Sequence, residues 1–168
     1  MRLMFMTAFW IFLLDQVIKF YVLFNVFGLR WAQVTVPSDQ LPYPQSVDVF
    51  PPFLTLRMAW NRGVNFGLFA EFDMRWVLIA VAFLITAAVI WWLNRTGGTK
   101  WVYISGGLLI GGAMGNVIDR FFYGAVADFL NMSCCGISNP YAFNVADICI
   151  FIGAVGLAFL AEDKKKSA

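Results

Sequence analysis

The sequence predicts an all-α integral membrane protein: four transmembrane helices with a small outward-facing β-rich region on the membrane surface. Three observations predict it. Of the 168 residues, 61% are hydrophobic and only 13% are charged, well beyond the apolar share of ordinary soluble domains. Four apolar stretches have the roughly 20 residues that a helix needs to cross a hydrocarbon core of about 30 Å. Between the first two lies a polar, proline-bearing segment in which apolar and polar side chains partly alternate.

The first helix is expected over about 3–26. It starts after one charge, Arg2, and its polar interruption is Asp15-Gln16. No small-residue cleavage site follows, so it reads as an anchored helix and not a removed leader. An outer loop over about 27–75 comes next. Within it "FLTLRMAWN" and "VNFGLFA" carry β-prone side chains and are expected to form short strands. The second helix, 76–93, has tryptophans at both ends, where an aromatic belt belongs. The third, 101–118, places Gly107, Gly111 and Gly115 every four residues, so that another helix can approach one face closely. A second outer loop spans about 120–139. The fourth helix, 141–160, opens after Asn139-Pro140, an N-cap followed by a first-turn proline. All of this makes one membrane domain over 1–168. Arg2, the loop with Arg95 and Lys100, and the tail with Lys164, Lys165 and Lys166 fall on one side, which places both termini in the cytoplasm.

Composition also excludes. A net charge of +2 is too small for a nucleic-acid surface that neutralises many phosphates. The chain has no histidine, which removes Ser-His and Cys-His nucleophile pairs, HExxH metalloproteases and histidine-ligated zinc. Cys134, Cys135 and Cys149 lack CxxC spacing and read as polarizable filler. Neither a metal nor a cofactor is expected.

What remains is a set of polar residues at membrane depth, where ionisable groups are costly and mark function by default. At 1.5 Å per residue, Asn116 and Asp119 come about 22–27 Å along the third helix, near its outer end. Asn144 and Asp147 lie about 6–11 Å inside the outer end of the fourth. Asn116, Asp119 and Arg120 share one helical side, and Asn144 and Asp147 repeat the i, i+3 spacing. Asp119 and Arg120 read equally as an interfacial ion pair, and Asn144 as a partner for a backbone group. Asp128 and Asp147 have no basic residue at i±3 or i±4 and suggest an aspartyl dyad. When two carboxyls share a low-dielectric site, repulsion and desolvation leave one protonated and one ionised. The ionised member then takes a proton from the attacking water while the other polarises the scissile carbonyl.

Four fragments in order, "LDQVIK" (14–19), "NRGVNFG" (61–67), "GNVIDRFFYGAVADF" (115–129) and "FNVAD" (143–147), make the chain resemble the lipoprotein signal peptidase (signal peptidase II) family over essentially its whole length. The resemblance implies that Asp128 and Asp147 are the catalytic dyad of an intramembrane aspartic endopeptidase. It assigns Asn61, Gly63, Asn116, Arg120 and Asn144 to substrate binding or support of the site. Asp119 is a supporting residue, and Asp15 and Lys19 match a further family pair. The implied substrate is a prolipoprotein whose future amino-terminal cysteine already carries a diacylglyceryl group, cut just before that cysteine. The implied setting is the bacterial inner membrane, with the site near the periplasmic face, a monomeric enzyme and membrane lipids as surroundings. One departure is Asn65, where the family pattern has alanine before the phenylalanine, here Phe66.

Two other classes compete. A small channel or carrier would line a path with Asp15, Lys19, Asp119 and Asp147, but it calls for polar residues throughout the depth. A membrane scaffold would use the glycine face and leaves Asp128 and Asp147 without a purpose.

Overall fold

Residues 2–21 hold only four strongly polar side chains among leucines, methionines and aromatics that extend a helix without strain, and they form α1, Arg2–Tyr21, followed by a π-helical turn, Val22–Val26. The computed structural model describes residues 1–34, 46–63, 74–136 and 139–160. The expected strand over 64–70, the Asn65-Phe66 departure and Lys164 to Lys166 lie outside the described residues. The further elements are β1, Ser46–Phe50, β2, Leu54–Asn61, α2, Met74–Thr96, α3, Lys100–Tyr123, β3, Val126–Met132, and α4, Val145–Leu160. Three helical stretches, Arg2–Val26, Met74–Thr96 and Lys100–Tyr123, are long and apolar enough to cross a membrane, and α4 is a shorter apolar helix. Their outward side chains are large and apolar, including Leu84, Phe151 and Phe159 at 69%, 69% and 72% exposed. Surfaces of this kind suit acyl chains and not water.

The chain divides into two compact units. The first comprises 1–16, 76–118 and the chain from 145 onward. Its core joins Met4 and Ala8 of α1, Leu93 of α2, Val102, Leu109 and Ile110 of α3, and Leu157 of α4. Glycines make the contacts close. A Cβ at Gly107 would stand 2.6 Å from the Met4 carbonyl oxygen, and one at Gly111 2.5 Å from that of Ala8. The expected glycine face therefore meets α1. On another face of α3, a Cβ at Gly112 would stand 2.5 Å from the Ala146 carbonyl oxygen of α4.

The second unit, 17–75 and 119–144, holds an antiparallel sheet in the order β1-β2-β3. A register shift in β2 between Leu56 and Ala59 interrupts its ladder with β3. Met58, Ala127 and Phe129 form the unit's core with Val22, Leu23, Phe27 and Leu29. The strand expected within 53–61 is β2. By contrast, β3 occupies the stretch expected to be loop. Val126 through Phe129 are all buried, and a strand covered on both faces lacks the alternation that would reveal it.

Two helix boundaries are corrected. α3 runs to Tyr123, so Asp119 and Arg120 lie inside it and the loop begins later. α4 begins at Val145, so Asn139-Pro140 is not its cap. The reason is a competing set of hydrogen bonds. Asn131 Nδ2 donates to the carbonyls of Asn139 at 2.7 Å and Tyr141 at 2.8 Å, and Phe143 forms an antiparallel bridge with Leu130. Those bonds hold the approach to α4 extended.

Candidate active site

Asp128 sits opposite Ala59 in the β2–β3 ladder. Directly opposed residues share a face, and Asn61, two residues on, shares it too. Asn61 Nδ2 donates to Asp128 Oδ2 at 3.0 Å. The Asn61 amide is aimed by its own turn, because its Oδ1 accepts the Gly63 N–H at 2.8 Å. Gly63 has φ +97°, a conformation that residues with a Cβ rarely adopt. With the oxygen committed to Gly63, the NH2 end faces the carboxylate.

The other oxygen of Asp128 is held from a different direction. Phe143 exchanges backbone bonds with β3, accepting from Leu130 N at 2.8 Å and donating to Leu130 O at 3.0 Å. This brings the next residue, Asn144, alongside, and its Nδ2 donates to Asp128 Oδ1 at 2.7 Å. Asp128 is 2% exposed and Asn144 is fully buried. Two amide donors from different segments, one on each oxygen, hold this buried carboxyl in position.

The same unit contains a buried ion pair. Lys19 Nζ lies 2.7 Å from Asp119 Oδ2, with side chains 3% and 0% exposed. Asp119 Oδ2 also accepts the backbone N–H of Ala127 at 3.2 Å. Asp119 therefore ties Lys19 to the residue immediately before Asp128.

In the first unit, Asp147 occupies the first turn of α4. Asn116 Nδ2, from α3, donates to Asp147 Oδ1 at 2.8 Å. Asp15 of α1 is fully buried, and its Oδ1 accepts the Ala146 N–H at 2.9 Å. Among the described residues, no three acidic or cysteine side chains gather in a way that would hold a metal ion. The chemistry these groups offer is that of carboxylates positioned by amides: proton transfer and polarisation of a carbonyl.

A family profile described as "Signal peptidase (SPase) II" matches residues 7–161. The chain belongs to the signal peptidase II family. Relatives include a lipoprotein signal peptidase of Methylobacterium sp. (strain 4-46), 42% identical over 79% of this chain and 86% of that protein. Another, from Rhodopseudomonas palustris (strain TIE-1), is 37% identical over 94% of this chain and 90% of its own length. A solved bacterial membrane enzyme, at 2.3 Å resolution, superposes with TM-score 0.70 and 25% identity over 98% of this chain and 89% of that one. A second, at 1.9 Å, gives TM-score 0.72 with 24% identity over 92% and 89%.

Within this signal peptidase II chain, the residues picked out by sequence fall into local sets. Asn61, Gly63, Asp128 and Asn144 form one, Lys19 and Asp119 a second, Asn116 and Asp147 a third. Arg120 stands half-buried in the last turn of α3. The i, i+3 spacing of Asn144 and Asp147 predicts both on one helical face. Asn144 instead precedes the helix and bonds to Asp128. Sequence reasoning also passed over Asn131, which fixes the chain leading to Asn144. It passed over Gln16 as well, whose Nε2 donates to Asp15 Oδ2 at 3.1 Å. Gln16 lies in the quoted "LDQVIK" fragment, but no spacing rule singles it out.

Proposed function

We propose that the chain is an aspartic endopeptidase that removes the signal peptide from diacylglyceryl-modified prolipoproteins, cutting before the lipidated cysteine, with Asp128 and Asp147 as the dyad. One carboxylate removes a proton from water as it attacks the scissile carbonyl. The other, protonated, polarises that carbonyl and then protonates the leaving amine. Asn61, Asn116 and Asn144 hold the carboxylates, Gly63 aims the Asn61 amide, and Asp119, Arg120, Asp15 and Lys19 support them. The observation that carries this reading is Asp128 itself: a buried carboxylate with an amide from a different segment on each oxygen. Such an arrangement is costly to build for packing alone.

The enzyme is read as a monomer of the bacterial inner membrane. Four spans place both termini in the cytoplasm, and the sheet lies on the periplasmic surface where the scissile bond meets water. The basic residues around α2 and α3 and in the tail support this orientation. The test is cleavage of a diacylglyceryl-modified prolipoprotein in detergent by the wild type, Asp128→Asn and Asp147→Asn, with folding verified for each. Loss of about 10²- to 10⁴-fold or more in each variant is expected for groups that transfer protons. Normal cutting by Asp128→Asn, or an inactive wild type, ends the proposal.

A further inference from the structure

The first turn of a helix leaves backbone N–H groups without partners inside the helix. In α4 one of them, Ala146 N–H, is satisfied by a side chain from another helix. Asp15 Oδ1 accepts it at 2.9 Å, and Asp15 is fully buried. The second oxygen is engaged too, since Gln16 Nε2 donates to Asp15 Oδ2 at 3.1 Å while also reaching the Gly115 carbonyl at 3.4 Å. Room for this crossing comes from α3. A Cβ at Gly115 would stand 2.5 Å from Asp15 Oδ2, closer than a real side chain tolerates. Three helices thus meet at one carboxylate, and the residue after Ala146 is Asp147.

We propose that Asp15 is a positioning residue: a carboxylate that α1 lends to the first turn of α4, through the gap at Gly115, to fix the position of Asp147. This rests on the reading of Asp147 as a member of the dyad and adds the means by which it is held. Two helices bear on Asp147 in this unit, α1 through the Ala146 N–H and α3 through the Asn116 amide. An acceptor oxygen suits a helix start, where backbone N–H groups lack partners within the helix. Its effect is geometric: displacing a reacting group by about 1 Å costs on the order of 10²-fold in turnover. Because Asp15 would act through the Ala146 N–H, its loss should lower kcat and leave KM nearly unchanged.

The experiment combines turnover with amide hydrogen exchange on the full-length protein in detergent. Asp15→Ala is expected to lose protection at the Ala146 amide and about 10²-fold in kcat, with KM within about threefold. Asp15→Asn keeps an acceptor oxygen and should recover roughly tenfold of that loss. Gly115→Ala should reproduce the kcat defect by displacing the carboxylate, and combining it with Asp15→Ala should add little, because the two act on one contact. Leu157→Ala, in the core near the far end of α4, controls for destabilisation and should retain kcat per folded molecule. The proposal is overturned if Asp15→Ala keeps Ala146 protected, if its defect is in KM, or if Leu157→Ala loses kcat equally. An inactive wild type would instead count against the protease reading, and the exchange data would still decide the cap.

Discussion

Lys19→Met removes the ammonium from the buried pair with Asp119 and keeps the length of the side chain. The two charges lie 2.7 Å apart with exposures of 3% and 0%, so water does not take over from the missing partner. Removing one member of a buried pair costs about 3–5 kcal/mol, which is on the order of 10² to 10³·⁵ in the folded ratio. Against a total stability of about 5–15 kcal/mol, that is a large fraction. Asp119 also accepts the Ala127 N–H, and this decides how the loss is reversed. Asp119→Leu on top of Lys19→Met removes the second charge as well but takes the acceptor from the Ala127 N–H, at about 1–3 kcal/mol. Asp119→Asn on top of Lys19→Met removes the charge and keeps an oxygen for Ala127. The latter pair is therefore expected to lie within about 1–2 kcal/mol of the wild type, and the Leu pair below it. Unfolding in mixed micelles of rising SDS fraction measures all three. Destabilisation below about 1 kcal/mol for Lys19→Met, or no recovery with Asp119→Asn, would refute the reasoning.

Three more outcomes are expected. Gly63→Ala forces a Cβ into φ +97°, turning the Asn61 amide away from Asp128; the strain is of order 1–3 kcal/mol, and cleavage should fall more than in Arg62→Ala next to it. Gly111→Ala, whose Cβ would stand 2.5 Å from the Ala8 carbonyl oxygen, should lower stability in the same micelle titration by about 1–3 kcal/mol, whereas Gly136→Ala, with open space around it, should lose only its backbone preference. The Cys134 thiol is pushed up from its usual range by its hydrogen bond with Cys135 and then by desolvation. At a given pH it holds less thiolate, so maleimide labelling of Cys134 should need a higher pH than a free thiol does, and Cys135→Ala should bring that pH down; an unchanged profile would contradict the bond as the cause.

Much of the apolar framework is decided locally. The long helices are written as continuous apolar runs, and the Gly107, Gly111 and Gly115 repeat states that a neighbour comes close, because a missing Cβ acts at its own position. β2 is visible for a similar reason, in its β-prone side chains. The candidate chemistry is legible as well: Asp128 and Asp147 lack a basic residue at helical spacing, and the fragments around them carry the family resemblance. The arrangement of these residues needed the tertiary structure. β3 is buried on both faces and so has no period to read. The start of α4 was moved to Val145 by Asn131, which sits in another element and captures two carbonyls of the approach. Asn144 is three residues from Asp147 along the chain, yet it serves Asp128, because the Phe143–Leu130 bridge overrides helical spacing. Asp15 and Ala146, 131 residues apart, meet only through the gap left by Gly115. Sequence alone determined which groups are available, since periodicity and residue type are properties of neighbours in the chain. Which carboxylate each amide holds was decided only by packing, because hydrogen bonds between distant segments form where backbones come close enough.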